Sequence, residues 1–430
     1  MKKEGYMTNN NHFLFRSIGV NVLFFIVVLF LPGFIFADDN GEAHRNLRIS
    51  AVSITGLKRT KPHVAQKALK KFIGMEAENL NIDDVKAAVI DTGILDPLEV
   101  EVIEENNEAI LHVTVREKWS IFPIPMIMAG SNGFSFGGFF GDMNAFGLRD
   151  IFFVGGMYSK QEWMVTGGYM HNPRTDYLPG WRLMGMFARQ ERHDTDQNKN
   201  NLRVFDLDSF GGSGGLSYAF FGFLNLSVGL GFEEQILKNK EEAQNGPIEG
   251  GRYLKTETNL SIRKSNWDGY LLSQQSISLG YEWTAGLDYD SFHSLSFRGI
   301  WEKSLLPGFR LNFKAGGIWS PDAPVLQESS PFAAQVNILP SGYKAKNFAG
   351  TSLGLEKYIF KFSFGTLSAL LSWQAAWSDG SILKNQFDQG IAGGISFYMS
   401  KLAIPALTVG GAYNITAHYF QGSFSLGMSF

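Results

Sequence analysis

Three segments of the sequence match the Gly-x-Ser-x-Gly pattern that surrounds the nucleophilic serine of many hydrolases. They span residues 133–137, 211–215 and 350–354. The pattern supports catalysis when the serine lies on a sharp turn between a strand and a helix. No helical periodicity follows any of the three segments, and Gly and Ser are frequent throughout this part of the chain. We therefore predict that none of them is catalytic and that the protein is not an enzyme.

An acidic run resembles the beginning of a calcium-binding loop. Asp194, Asp196 and Asn198 have the required spacing, but Lys199 stands where such a loop needs Gly. Phe205 stands where the loop needs a bidentate Glu. The sequence therefore favours a solvated loop, and we predict no metal ion and no cofactor.

The remaining composition excludes several other classes of site. The chain has no Cys among its 430 residues, which excludes disulfides, Cys-ligated metals and a lipidated Cys. Its net charge of −3 gives no indication of nucleic-acid binding. His418 falls among the apolar positions of the last predicted strand, and no serine can be paired with it by sequence. We interpret it as a histidine at a membrane interface.

An apolar run near the N-terminus predicts export. Residues 18–37 are largely apolar, are preceded by Lys2, Lys3 and Arg16, and end in Ala37 before two aspartates. This order is typical of a secretory signal peptide over residues 1–37, followed by a linker over residues 38–46. An uncleaved membrane anchor is the alternative, because the run is long enough to span a bilayer.

Residues 47–118 predict a small α+β domain. A short strand at residues 49–54 is followed by two segments of helical periodicity and two alternating strands, in the order β-α-α-β-β. The order resembles a POTRA domain, the periplasmic module that precedes some outer-membrane barrels. The resemblance includes residues 54–56, 92–95 and 113–117. Another small module with the same order is the alternative.

Residues 119–430 alternate between apolar and polar side chains along about sixteen segments. In the last segment Phe420, Phe424, Leu426, Met428 and Phe430 share one face. A lipid-facing side and a wet side explain this alternation, and a mean hydropathy of −0.06 suits strands better than membrane helices. We therefore predict a sixteen-stranded transmembrane antiparallel β-barrel in which Phe430 ends the closing strand as a C-terminal signal. Long polar loops at residues 191–201, 239–250 and 321–348 alternate with tight turns, as in outer-membrane barrels.

Residues 339–343 read Leu-Pro-Ser-Gly-Tyr, and residues 353–358 read Leu-Gly-Leu-Glu-Lys-Tyr. On these residues, the segment 339–380 resembles the bacterial surface antigen / outer-membrane protein assembly superfamily, which includes BamA, TamA and two-partner secretion transporters. In that family the sixth extracellular loop folds into the barrel, and its Arg-Gly-Tyr/Phe motif is held by acidic residues of the wall. Here Ser341 replaces the Arg before Gly342 and Tyr343, while Glu356 and Asp379 match the acidic positions. Either Lys344 or Lys346 could substitute for the missing Arg, although lysine lacks the planar guanidinium group of arginine.

The resemblance implies insertion or translocation of proteins at the Gram-negative outer membrane, with the POTRA domain in the periplasm. The implied partners are the bilayer, unfolded outer-membrane or secreted clients, and periplasmic accessory proteins. The POTRA domain would recruit clients by β-augmentation. The alternative function is a passive outer-membrane channel or surface structural protein on the same scaffold. The first strand contains Pro123 and Pro125, so we also predict a weak seam between the first and last strands.

Overall fold

The computed structural model describes residues 47–105, 108–130, 133–159, 162–173, 178–221, 223–238, 248, 250–268, 271–399, 401 and 407–426. The predicted signal peptide, the predicted linker and Phe430 lie outside these residues. Within them, no helix combines the length and apolar character that crossing a membrane requires.

The N-terminal part of the described chain is a three-stranded sheet covered by two helices. Its elements are β1 (Ile49–Thr55), α1 (Pro62–Leu69), α2 (Ile82–Ile90), β2 (Leu95–Glu105) and β3 (Glu108–Glu117). The strand order is β1-β3-β2, with β1 parallel and β2 antiparallel to β3. Pro62 begins α1, where its missing N–H costs nothing, and the Asn81 side chain caps α2 by accepting from Asp83 N at 2.9 Å.

One hydrophobic core joins the helices to the inner face of this sheet. The helices contribute Val64, Leu69, Val85 and Val89, and the central strand contributes Leu111, Val113 and Val115. All seven side chains are buried. The outer face of the sheet is half-buried to exposed, because the helices cover one face only, and β2 lies at one edge of the sheet.

The rest of the chain forms one antiparallel sheet of sixteen strands, each hydrogen-bonded to its sequence neighbours. The strands are β4 (Ile121–Gly130), β5 (Gly133–Ala145), β6 (Asp150–Tyr158), β7 (Trp163–His171), β8 (Gly180–Thr195), β9 (Asn201–Phe220), β10 (Leu224–Leu237), β11 (Gly251–Asp268), β12 (Leu271–Gly286), β13 (Phe292–Leu306), β14 (Phe309–Trp319), β15 (Asn347–Phe362), β16 (Gly365–Asp379), β17 (Gln386–Met399), β18 (Leu407–Asn414) and β19 (Tyr419–Leu426). The fold class predicted from the sequence is confirmed. The boundary predicted between residues 118 and 119 falls between β3 and β4, and it stays a prediction.

The two faces of the large sheet differ as the alternation predicts. On β15, Leu353, Leu355 and Ile359 are exposed on the outer face, while Ser352 and Glu356 are buried on the inner face. Such an exposed apolar outer face is stable when lipid covers it.

The connections at the two ends of the sheet are unequal. Those at one end include residues 320–346, between β14 and β15, which we call the long loop. This is the sixth connection at that end, counted from β4. At the opposite end, β13 and β14 are joined by residues 307–308 alone, and the small domain lies at this turn end. His418 lies in the turn before β19 with a φ of 55°, so its predicted place within the last strand was wrong.

A polar contact that we call the domain clasp holds the small domain against the first hairpin of the large sheet. Arg59 Nη1 donates to Ser120 Oγ at 3.0 Å and to Asp142 Oδ1 at 3.2 Å. Asn144 Nδ2 donates to Thr60 Oγ1 at 2.9 Å. The clasp therefore links the β1–α1 loop directly to β5.

Glu117 orders the loop that carries the clasp. Its carboxylate accepts from the backbone N–H groups of Lys58, Arg59 and Thr60 at 2.7–3.0 Å. Burial raises the pKa of Glu117, but these three donors outweigh burial and hold the pKa below its ordinary value of 4.5. Gly147, with a φ of +73°, lies so close to this loop that a Cβ on it would be 2.1 Å from the Arg59 carbonyl oxygen.

Candidate functional site

The long loop lies against the inner face of the sheet and packs there through apolar side chains. Two 3-10 turns, Val325–Gln327 and Pro331–Ala334, shape it. One buried cluster joins loop residues to β15–β18: Ala334, Val336, Ile338, Leu339, Tyr343, Ala345, Phe348, Ala376, Ala392 and Ala412. The loop is therefore packed as part of a hydrophobic core.

Glycines in the wall make room for the loop. A Cβ at Gly350 would lie 2.6 Å from the Ala334 carbonyl oxygen, and one at Gly316 would lie 2.8 Å from the Ala333 carbonyl oxygen. Contacts this short do not occur, so larger residues at these two positions would push the loop off the wall.

Polar contacts fix the middle of the loop to two distant strands. Asn337 N donates to Gln374 Oε1 on β16 at 2.9 Å, and Gln421 Nε2 on β19 donates to the Leu339 carbonyl at 2.8 Å. Leu326, near the start of the loop, packs with Phe205 and Leu207 on β9. Strands from opposite parts of the sheet therefore meet the same loop, which means that the sheet curls around it and encloses a lumen.

A buried ionic network, which we call the loop anchor, holds the loop at the end of the lumen far from the small domain. It consists of Arg192, Asp194, Arg203, Glu328 and Ser381. Arg203 Nη2 lies 3.3 Å from Glu328 Oε2, and Arg192 Nε lies 2.7 Å from Asp194 Oδ1. Ser381 N donates to Glu328 Oε1 at 2.8 Å. The loop anchor thus connects the long loop to the β8–β9 hairpin and to the β16–β17 turn.

The loop anchor also changes the interpretation of the acidic run. Asp194 is buried in an ion pair, so its predicted place in a solvated loop was wrong. Asp196 lies in a turn, where its Oδ1 accepts from the backbone N–H groups of Asn198 and Asn200, each at 2.8 Å. Among the residues that the structure describes, no group of three or more His, Asp or Glu side chains could hold a metal ion.

The tripeptide predicted as the loop motif lies beside the β8–β9 hairpin. Ser341 is exposed, while the Gly342 carbonyl accepts from Thr195 N at 2.9 Å. Tyr343 is buried, and its hydroxyl forms a 2.8 Å hydrogen bond with Ser378 Oγ. Burial raises the pKa of Tyr343 to about 12, so the phenol stays neutral.

Glu356 is met by an arginine of the wall, in a cluster that we call the wall clamp. Arg310, its register partner on β14, donates to the carboxylate from Nε at 3.1 Å and also from Nη2. Tyr398 OH donates to Glu356 Oε1 at 2.7 Å, and Ser368 Oγ donates to the same atom. Arg310 Nη1 reaches Glu302 Oε2 at 3.5 Å. The wall clamp therefore spans β13 to β17 near the turn end.

The structure does not bring the two predicted acidic residues together. Glu356 pairs with Leu370 on β16, whereas Asp379 pairs with Asn347 at the other end of the same strands. Nine residues along a strand separate the two levels by about 30 Å. Only Asp379 lies near the loop motif, where its carbonyl accepts from Lys346 N at 3.1 Å.

Neither lysine that could replace the loop arginine is placed at the wall clamp. Lys346 Nζ donates to the Pro321 carbonyl at 3.1 Å. Burial lowers the pKa of Lys344, as does the nearby Arg192, while Asp194 and Glu328 oppose the shift. Lys344 therefore lies within electrostatic reach of the loop anchor.

The sequence contained a partial signal for the two ionic clusters. Arg310 falls on the wet side of its strand by alternation, which made it available as a partner for Glu356. The pairing of Arg203 with Glu328 had no signal, because 125 residues separate the two and neither belongs to a motif. The three Gly-x-Ser-x-Gly segments lie within β5, β9 and β15, so none has the strand–turn–helix context of a nucleophile.

Comparisons with known proteins agree on the architecture. No protein-family model and no curated protein matches the sequence. CdiB from Escherichia coli has a similar structure, with a TM-score of 0.58 and 13% identity, and the match covers 89% of this chain and 74% of that one. CdiB from Acinetobacter baumannii has a TM-score of 0.55 at 13% identity, covering 88% and 73%. The chain shares the fold of CdiB.

BamA from Haemophilus ducreyi lacking POTRA domains 1–3 is also similar, with a TM-score of 0.46 at 13% identity over 89% of this chain and 86% of that one. At this level of identity, the likeness to the two CdiB structures concerns the fold. For the fold, the resemblance predicted from the sequence is confirmed.

Proposed function

We propose that this protein spans the Gram-negative outer membrane and inserts or translocates client polypeptides there, with the small domain in the periplasm. The long loop carries this proposal. It occupies the lumen through tight apolar packing. Its contacts with the barrel wall are non-covalent, so they can be exchanged for contacts with water or a client. A loop held in this way can act as a gate.

A disulfide that holds the loop in place tests this proposal. Thr195 and Tyr343 are partners in a β-bridge, so their Cα atoms lie within the range that a disulfide spans. The chain has no Cys of its own, so Thr195→Cys/Tyr343→Cys forms one defined bond. We expect the oxidised variant to lower the levels of client proteins in outer-membrane fractions, measured by quantitative proteomics. Reduction should restore those levels to those of the Tyr343→Cys single variant, which also lacks the hydrogen bond to Ser378.

A second pair of cysteines serves as the control. Ser329 and Ala345 form an antiparallel bridge within the loop itself, so Ser329→Cys/Ala345→Cys makes a bond without tying the loop to the wall. This variant should leave client levels unchanged. Equal client levels in the oxidised and reduced forms of the Thr195→Cys/Tyr343→Cys variant would contradict the gating role.

The small domain is proposed to recruit clients by lending a sheet edge. β2 lies at one edge of the three-stranded sheet and exposes Glu99, Glu101 and Ile103. An extended client segment can add to such an edge through main-chain hydrogen bonds. Deleting residues 47–118 should reduce client assembly while the barrel still migrates as a heat-modifiable band on gels. Unchanged levels of all outer-membrane and surface proteins would contradict recruitment.

Within this proposal, Gly342 and Tyr343 lock the loop and Asp379 supports it from the strand end, while Ser341 is exposed beside them. Glu356 stiffens the wall through Arg310. Phe430 is proposed as the C-terminal signal by which the chain itself is recognised for assembly. Truncating Phe430 should lower the amount of folded protein in outer membranes.

A passive channel is the second candidate function, and one observation favours it. The wall formed by β8–β12 carries partly exposed charged side chains on its inner face, including Lys255 with Glu233 at 2.5 Å and Arg182 with Glu257. A charged wet wall suits ion passage. Stable solute-selective currents in planar bilayers, without any effect of the Thr195→Cys/Tyr343→Cys disulfide on client levels, would support the channel instead.

A further inference from the structure

A cavity of about 340 Å³ lies between the small domain and the turn end of the barrel. Helices α1 and α2 form one side. The other side consists of the β5–β6 turn and the segment that follows β7. Its size is at the lower end of the range for ligand pockets.

The cavity is lined by more positive than negative side chains. Lys67, Lys71 and Arg149 line it together with His63, and Asp91 is the one carboxylate among the lining residues that the structure describes. An excess of positive charge around a concave site favours an anionic ligand.

Two of these cations are fixed in position by backbone carbonyls. Lys67 Nζ donates to the Pro173 carbonyl at 3.0 Å, and Arg149 Nη2 donates to the Asp91 carbonyl at 2.9 Å. Burial lowers the pKa of Arg149; Asp91 opposes this shift and the neighbouring Arg263 adds to it. An anion bound here in addition to the Asp91 carboxylate would therefore be stabilised by two cationic side chains that are already oriented.

An aromatic belt shows the level at which the cavity lies. Tyr169 stacks on Trp181 on the outer face, with ring centroids 5.2 Å apart, and Phe146 is 73% exposed in the adjoining turn. Tyr169 OH donates to Asp150 Oδ2, and Asp150 Oδ1 accepts from Asn172 N, a cavity residue, at 2.8 Å. Aromatic belts mark the boundary between hydrocarbon and headgroups, so the cavity adjoins the headgroup layer.

We propose that this cavity binds the phosphate of an anionic phospholipid headgroup from the periplasmic leaflet, bridging α1 and the β5–β6 turn. The proposal rests on the membrane orientation given under Proposed function. Lys67 and Lys71 contact the phosphate from the small domain, and Arg149 contacts it from the barrel as a planar donor. The bound lipid would strengthen the attachment of the small domain to the barrel.

The test uses the full chain in nanodiscs that contain equal parts of phosphatidylcholine and phosphatidylglycerol, with retained lipid counted by native mass spectrometry. Lys67→Gln/Lys71→Gln/Arg149→Gln should lower phosphatidylglycerol retention by about tenfold or more, because each basic residue near a membrane adds to the attraction of anionic lipid. Lys71→Gln alone, at an exposed position, should give a smaller loss without disturbing folding. Retention equal to that of the unmodified protein in both variants would overturn the proposal.

Lys86 provides a matched control for the three basic residues of the cavity. Lys86→Gln removes an exposed cation of α2 that pairs with Asp83 at 3.9 Å, and it should leave lipid retention unchanged. With inorganic phosphate added to discs of phosphatidylcholine alone, a phosphate adduct, together with no preference for phosphatidylglycerol in mixed discs, would overturn the lipid assignment in favour of free phosphate. Failure of the protein to enter any disc would overturn the proposed location in the membrane as well. This outcome is recognised by the absence of the protein from the disc fraction.

Discussion

A buried carboxylate such as Glu356 is stable when hydrogen-bond donors compensate its charge, and four donor atoms do so in this barrel wall. Two belong to Arg310, one to Ser368 and one to Tyr398. Because Arg310 is almost wholly buried too, neither charge can be compensated by water. The pair should therefore respond unequally to single and double substitution.

Arg310→Met leaves Glu356 buried without its cation. We expect the free energy of unfolding to fall by about 3–5 kcal/mol, measured by urea titration of the protein in lipid vesicles. Arg310→Met/Glu356→Leu removes both charges of the pair and should recover part of this loss, because Glu302 still lacks its contact with Arg310. A single variant that unfolds within about 0.5 kcal/mol of the unmodified protein would contradict the burial of the pair.

Glu117 predicts a pH dependence of the domain clasp. Its pKa is lower in the folded protein than in the unfolded chain, so the stabilisation is present above the unfolded pKa and is lost as the pH falls through the folded pKa. The protection of the Arg59 and Thr60 amides from hydrogen exchange, relative to the unfolded chain at the same pH, should fall below about pH 4.5. Glu117→Gln should give fast exchange at neutral pH and should remove the acid step. Persistence of that step in the Gln variant would assign it to another group.

At the scale of elements, the small wall residues decide whether the long loop can stay in the lumen. Gly350→Val places side-chain atoms against Ala334 and Val336, so we expect the loop to leave the wall and to become cleavable by protease added to intact cells. Gly422→Val is the control, since nothing lies within 4 Å of a Cβ there. Equal cleavage of the two variants would contradict close packing of the loop.

The elements themselves could be predicted from the sequence to a large extent. Alternation identified strands such as residues 224–232 and 353–359, because lipid outside and polar groups inside impose a period of two. Helical spacing identified α1 and α2 through residues such as Val64, Leu69, Val85 and Val89. These patterns are local, and local patterns suffice for elements.

The contacts between distant elements could not be predicted in the same way. The loop anchor joins β9, the long loop and the β16–β17 turn, and these meet only after the sheet has curled. The family motif located the loop and the wall residue Glu356, yet it suggested one clamp, while the structure has a loop anchor and a wall clamp at opposite ends. An arginine on a strand and an arginine on a loop can pair with the same carboxylate equally well. The sequence alone therefore does not determine which arginine pairs with Glu356.

At the scale of the whole molecule, β4 and β19 are the first and last strands of the sheet order, and Pro123 and Pro125 lie in β4. A proline in a paired strand keeps its nitrogen toward the unpaired side, so both positions would lack a donor across the predicted seam with β19. Pro123→Val/Pro125→Val should add those donors, raise the temperature at which the folded band unfolds on gels, and lower client levels. A seam whose cross-linking and unfolding temperature do not change would count against an opening barrel.

The domain clasp has a mechanical consequence. It grips β5, the second strand from one border of the sheet, through Asp142 and Asn144. A polypeptide that pulls on the edge of β2 would therefore exert a torque on the barrel through the small domain and the clasp. The first strand to bear this torque is β5, which forms a hairpin with β4. If the small domain captures clients as proposed, that capture and strain at the border of the sheet are parts of one linkage.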